Sequence, residues 1–511
     1  MTWSGGLDYF GPSGIEPRTT AAYLFSAAGV LYFVLVISRL FFNPLSDFPG
    51  PRLAAATRWY EAYFDILRGG QFMYEIQRLH KIYGPVLRIG PNEIHVNDPD
   101  FYDVLYAGPT RRRHKDPWFL SSIAPGMSFA ASNYDHHRAR RSGLSPFFSK
   151  TAVRGWEPVI QENIRLLCQH FHRAQETSQL LELHTCFVNF AVDTVSQYVF
   201  GKDSGFDTLK EPILREKWKK GVNGIFELLL LVRHFPWMYF LSRITPVWFS
   251  RIFFPAFGHA AAIERDVERH TLKAFNRHSG SETSIIDHLL CNDKLPPAER
   301  TLARLTDEAK FLLVAGTDAP SQVMAITMYH VLSNLEVYNL LQEELQIALP
   351  DASMDISWSD LERLPYLDQT AVISEGLRLS AVVTSRLPRI APDEDLVCHG
   401  WRIPAGTSIS MSNHFVLRDS AIFSDPLTFH PERWLSSSST LSRYLVPFSK
   451  GSQGCLGPNM AWCWLYIGLA TLFRRFRLEL VDTDESNVTI VRDCFNGQTP
   501  TGKNRIQVRV R

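Results

Sequence analysis

Cys455 stands in the run Phe448-Ser449-Lys450-Gly451-Ser452-Gln453-Gly454-Cys455-Leu456-Gly457, with glycines at 451, 454 and 457. Glycine lets a backbone curl tightly, so this loop can wrap one sulfur in main-chain N–H groups. Pro458 then opens an apolar stretch that reads as a helix to about Phe473. The helix N-terminus and the loop N–H groups favour a thiolate, the form of cysteine that binds a metal. Alone, the loop also fits a buried cysteine in a glycine-rich turn. Two further groups give it meaning. Glu375 and Arg378 are three apart on a predicted helix and can pair on one face. Phe429-His430-Pro431-Glu432-Arg433-Trp434 follows, ahead of the cysteine loop. Each is ordinary by itself; their order is not.

The elements that must position these residues are mostly helical. Helical patterns cover roughly 150–200, 255–278, 306–347 and 366–380. Val86 to Ile89 and Glu93 to Val96, split by Gly90-Pro91-Asn92, read as a hairpin. Further β-like runs lie near 395–410, 478–491 and 505–510, and Ser436 to Ser439 reads as a loop. From Thr19 to Ser38 no residue is charged. About 20 residues at 1.5 Å each span about 30 Å, the thickness of a bilayer core. The predicted organisation is a tail over 1–18, a membrane span over 19–42, a proline-rich hinge over 43–52 and one catalytic domain over 53–511. Basic residues after the span favour a cytosolic body. The segment 225–257 is apolar and aromatic, and reads either as core or as a membrane-dipping lid over an apolar channel.

Composition narrows the function. The 53 basic and 52 acidic side chains leave a net charge of +1, and no basic run with interleaved aromatics appears, so nucleic acid is not an expected partner. Seven scattered cysteines make neither a disulfide framework nor a CxxC metal pair, so a single thiolate reserved for a metal fits a reducing compartment. Asn487-Val488-Thr489 matches a glycosylation tripeptide, which would matter only in a lumen.

Taken together, the anchor, the proline elbow, Glu375-x-x-Arg378, the Pro431-Glu432-Arg433-Trp434 segment and the cysteine loop make the chain resemble the cytochrome P450 superfamily over almost its whole length. Phe48-Pro49-Gly50-Pro51, the run from Leu53 to Tyr60 and Pro146-Phe147-Phe148-Ser149 resemble its fungal, trichodiene-oxygenase-like branch. The resemblance implies a mostly α fold with small β-sheets, haem b bound through Cys455, and a structural ion-pair network of Glu375, Arg378 and Arg433. It implies electrons from NADPH through a reductase, an endoplasmic-reticulum membrane location, and a small apolar substrate. The haem propionates would meet His137, Arg141, Arg389 and Arg386, with Phe448 and Gln453 in the cysteine loop.

Two departures bear on chemistry. The family arginine two residues before the cysteine is here Gln453, which donates a hydrogen bond but carries no charge. Ala315-Gly316-Thr317-Asp318-Ala319-Pro320-Ser321 replaces the family run in which an acid and a threonine manage protons. Asp318 is kept, Ala319 holds the threonine position, and Thr317 or Ser321 is left to supply a hydroxyl. Pro320 is expected to kink the helix. The leading expectation is a monooxygenase acting on an apolar terpenoid or polyketide intermediate. Its alternatives are a redox-neutral haem isomerase or cyclase, and a non-catalytic haem-binding membrane protein. Phe311, Ala315, Val383 and Phe495 are expected to face the reaction centre.

Overall fold

Hydrophobic helices pack around one another, and their ends and turns are set by single residues with suitable side chains. The computed structural model describes residues 17–238, 245, 252, 254–277, 284–352, 354–367 and 371–511. It is mostly helical with small sheets, as expected. Pro17–Ile37 forms one apolar helix; the stretch Tyr23–Phe42 has a mean hydropathy of 2.0 and no buried residues, so by length and composition it can cross a membrane. Its end is tied to the body, because Arg39 donates to the Ala56 carbonyl at 3.0 Å. The proline elbow lies against the first strand. Gly50 has φ +151°, and a Cβ there would meet the Arg88 carbonyl oxygen at 2.3 Å.

The predicted helix over 150–200 is two helices, Lys150–Thr177 and Leu183–Phe200. Ser178 adopts the left-handed conformation and ends the first; Glu182 caps the second by accepting from His184 N and Thr185 N. The stretch 306–347 likewise divides at Asn334, which caps Leu335–Ala348 through Glu336 N and Val337 N. Its first part is the 32-residue central helix Leu302–Ser333, capped by Thr301. That helix runs on through Pro320 without a break. The predicted helix over 366–380 begins at Val372. Ser436 to Ser439, expected as a loop, continues the helix Arg433–Leu441.

The largest sheet has five strands in the order Val86–Gly90, Glu93–Val96, Ser408–Ser410, Arg389–Ile390 and His114–Lys115. The predicted hairpin is its first pair. In the predicted 478–491 run only Leu478–Val481 is a strand, and a separate hairpin, Arg492–Cys494 with Asn496–Gln498, follows it. Asn487 is buried: both its amide hydrogens go to the Lys503 and Arg505 carbonyls and its oxygen accepts from Asp484 N. A glycan on this amide would displace one of these hydrogen bonds. Within the apolar 225–257 segment, Lys217–His234 is a helix, while Tyr239, Phe240, Trp248, Phe249 and Phe253 lie outside the described residues.

Candidate active site

Glu375 and Arg378 are fully buried and joined by two 2.8 Å hydrogen bonds. Arg433 Nε and Trp434 Nε1 reach the same carboxylate at 3.2 and 2.9 Å, and His430 N–H adds a third donor at 3.0 Å. Burial pushes the Glu375 carboxyl up, but Arg378, Arg433 and the His430 N–H outweigh it and hold the group below its ordinary range. Arg378 also donates to the Leu417, Pro426 and Thr428 carbonyls, which fastens the chain leading to the cysteine loop.

The loop itself turns at Gly451, whose φ is +72° and whose Cβ would meet the Ala107 carbonyl oxygen at 2.2 Å. Gly454 and Gly457 have negative φ, so only the first glycine is demanded by conformation. Cys455 N donates to the Phe448 carbonyl at 2.8 Å, and Gly457 N points at Cys455 Sγ at 3.4 Å. The sulfur faces a cavity of about 670 Å³ and is reached from there, although protein surrounds it densely. Burial therefore pushes the thiol up, against the Gly457 and Leu456 N–H groups and Arg141. The loop N–H groups and Arg141 do not offset that burial, and a bound cation would favour the thiolate.

Lys115, His137, Arg141 and Arg389 line the same cavity, as do Arg265 and Lys310, the latter paired with Glu264 and Glu268. Lys115 and Arg389 are buried and stand directly opposite in an antiparallel strand pair. Among the described residues none of Lys115, Arg141 and Arg389 has an acid within ion-pair distance. Burial lowers the pKa of Lys115 and of Arg389, and Arg389 and Arg141 lower Lys115 further. Burial and the same three cations bring His137 down to about 2, so it is neutral. Arg141 donates to the Gly454 and Cys455 carbonyls at 2.7 and 3.2 Å, linking the cations to the sulfur loop.

The remaining expectations fare unequally. Phe311, Ala315, Val383, Phe495, Phe448 and Gln453 all line the cavity. Gln453 Nε2 donates to the Arg113 carbonyl at 2.5 Å, and its Oε1 is buried without a partner. Arg386 is corrected: it is held away from the cavity by Glu61 and Glu93, at 2.7 and 2.5 Å. The central helix presents Ala315, Gly316, Ala319 and Pro320 to the cavity, whereas Thr317, Asp318 and Ser321 lie on its other side. Ser321 donates back to the Thr317 carbonyl at 2.5 Å, and Asp318 accepts from Gln322 and from Asn496. Helical spacing explains this: residues four apart share a face, so 315 and 319 cannot share theirs with 317 and 321. The structure thus brings none of the three candidate proton-handling side chains to the cavity surface.

The sequence model for cytochrome P450 matches residues 58–500. The chain belongs to the cytochrome P450 family. Among its relatives are a tryptophan 6-hydroxylase of Fusarium equiseti, 39% identical with 91% of this chain and 92% of the relative covered. A cytochrome P450 monooxygenase of Trichoderma arundinaceum is 36% identical, covering 92% of each chain. An N-acetyltryptophan 6-hydroxylase of Emericella nidulans is 35% identical, over 93% and 94%. As a P450 of this kind it is an oxidoreductase that incorporates molecular oxygen, binds haem and takes electrons from a redox partner.

The cavity fits a P450 haem on its own evidence. A sulfur and apolar residues of the central helix line it together, and Lys115 and Arg389, buried with no acid in ion-pair distance among the described residues, call for carboxylates. Sequence reasoning missed Lys115, which sits in the run Arg111-Arg112-Arg113-His114-Lys115 and looks like a surface charge. It also missed Phe129 and Asn496, both of which line the cavity. The signal for Lys115 was the alternation of a strand; only the pairing with Arg389 reveals it.

Proposed function

We propose that this P450 is a membrane-anchored monooxygenase that oxidises an apolar secondary-metabolite intermediate. The observation that carries the reading is the cation pair Lys115 and Arg389 sharing one cavity with the Cys455 sulfur. Cys455 would hold the iron through its sulfur, and Lys115, Arg141 and Arg389 would neutralise the propionates, with His137 and Gln453 as neutral hydrogen-bond partners. When bound, the haem supplies activation of molecular oxygen at its iron. The residues around it do the rest. Cys455 would contribute negative charge to the iron. Ala315 and Ala319 leave a flat apolar floor on the central helix, and the surrounding aromatic side chains exclude water.

Pro320 lacks the N–H that would bond the Gly316 carbonyl, and both residues line the cavity, so that oxygen would be free to turn towards a ligand. It can accept a hydrogen bond from a water or a substrate hydroxyl at the position where Ala319 offers none. The polar group that handles protons would thus come from the ligand side. Changing Ala319→Thr should raise product formed per NADPH consumed.

Electrons would come from NADPH through a membrane reductase. The apolar Pro17–Ile37 helix supports an anchor in the endoplasmic reticulum with the body, 53–511, in the cytosol behind a hinge at 43–52. Two relatives are named for hydroxylating tryptophan and N-acetyltryptophan, so aromatic substrates stand beside terpenoids and polyketides. The test is turnover of such candidates by the membrane fraction with reductase and isotopically labelled dioxygen. NADPH-dependent incorporation of one labelled oxygen atom supports the proposal. Product formed without electrons would make the protein a redox-neutral isomerase or cyclase; haem binding with no turnover of any candidate would favour a non-catalytic role.

A further inference from the structure

We propose that the cavity selects a substrate carrying an aromatic ring, with Phe495 as the residue that sets this preference. The inference rests on reading the cavity as the substrate site of a monooxygenase. Four phenylalanines from four separate elements line it in a continuous series. Phe311 of the central helix stacks on Phe129 at 5.5 Å with the planes 20° apart. Phe129 meets Phe495 edge-on, at 6.0 Å and 86°. Phe495 lies parallel to Phe226, at 6.1 Å and 3°. Phe129 is held from behind, since Lys115 Nζ donates to its carbonyl at 2.7 Å and sits 4.5 Å from its ring centroid.

Phe129, Phe311 and Phe495 are each only half-buried, so the series leaves ring surface open to the cavity rather than spending it all on the core. Faces are negative and edges positive, so the series offers both to an incoming ring, which can stack or meet it edge-on. A saturated ring of the same skeleton gains only its burial.

The backbone at Phe495 argues that this ring is placed deliberately. Its φ is +79°, where a bulky side chain is rare and glycine is at ease. Such a conformation persists when its surroundings over-determine it, and it concentrates where ligands are held. Here Asp493 Oδ1 accepts from Phe495 N at 3.0 Å and from the Thr384 and Ser385 hydroxyls at 2.8 Å. Thr384 N and Ser385 N in turn donate to the Phe495 carbonyl at 3.1 and 3.3 Å. Five hydrogen bonds clamp a turn that would be relaxed with glycine, and the clamp delivers an aromatic ring to the cavity.

The experiment uses the full-length haem-loaded protein and two probes of one carbon skeleton, naphthalene and its saturated counterpart decalin. Affinities are read from the spin-state change of the haem spectrum. Naphthalene should bind about tenfold more tightly than decalin, since each ring contact adds a factor of about two to ten beyond burial. Phe495→Leu should cut that ratio severalfold while leaving the carbon monoxide spectrum and haem content unchanged, and Phe495→Tyr should keep it. Should Phe495→Leu fail to fold, Phe311→Leu on the central helix carries the same expectation. Equal affinity for the two probes, or a ratio unmoved by either leucine variant, would overturn the proposal. Binding needs neither electrons nor oxygen, so a protein that prefers naphthalene without turning anything over contradicts the monooxygenase reading alone. Turnover without that preference contradicts this inference alone.

Discussion

Lys115 and Arg389 stand opposite each other in an antiparallel strand pair, both buried, with no acid in ion-pair distance of either among the described residues. Like charges directly opposite in a sheet destabilise it, and burial compounds the cost. The arrangement makes sense when two carboxylates enter the cavity with a cofactor. Replacing either cation with methionine should therefore affect the two forms in opposite ways. The haem-free protein should tolerate or gain from Lys115→Met, whereas haem release to an acceptor protein should speed up about 10- to 100-fold, the loss of one charge-assisted hydrogen bond. Gln453→Arg should slow release.

Asp318 Oδ2 accepts from Asn496 Nδ2 at 2.7 Å, and His184 Nε2 lies 3.7 Å from its other oxygen. Asp318 does not line the cavity but Asn496 does, so any effect of the acid on the cavity should run through that amide. A double-mutant cycle tests this. Asp318→Ala and Asn496→Ala should each cost about 1–3 kcal/mol of stability and slow turnover, but the double variant should cost little more than either alone. Additive effects would separate the two residues.

Glu375 and Arg378 form a pair with no exposed surface and additional donors from Arg433, His430 and Trp434. Removing one partner leaves the other as an unpaired buried charge, which costs about 3–5 kcal/mol. Glu375→Ala should lower the denaturant midpoint accordingly and reduce haem content on purification. Arg378→Lys should rescue little, because one ammonium cannot replace the two-pronged contact.

His80 and His95 join the helix Phe72–Tyr83 to the sheet through a 2.7 Å hydrogen bond, and His80 Nδ1 donates to the Gly84 carbonyl. His95 Nε2 is buried without a partner. Burial brings His80 down to about 4 and holds His95 well below its ordinary value, so both are neutral in the folded protein. The unfolded chain takes up protons near pH 6.5 and the folded one only near 4. Stability is therefore full above pH 6.5 and falls as the pH drops towards 4, by up to about 3 kcal/mol for His80. Denaturant midpoints between pH 7 and 4 should show this fall, and His80→Gln should flatten it.

How far the sequence carried the fold depends on what each residue had to show. The cysteine loop, Glu375, Arg378 and Arg433 were legible because their types and order are unusual together. Helix ends at Ser178 and Asn334 were not, since an apolar period runs straight through both. The largest gap concerned which face a residue presents. Thr317 and Ser321 read as hydroxyls near the reaction centre, and helical phase turns both away from it. Arg386 read as a second cation one strand step before Arg389, yet Glu61 and Glu93, distant in sequence, claim Arg386 and leave Arg389 to the cavity. Long-range partners decided these cases, and single residues in a sequence do not reveal their partners.

Cys455 as the ligand of a haem iron is tested most directly by one spectrum. The reduced protein with carbon monoxide should show the red-shifted Soret band of thiolate ligation, and Cys455→His should abolish that band while the protein still takes up haem. A wild-type spectrum lacking the red-shifted band, or an unchanged band in Cys455→His, would contradict it.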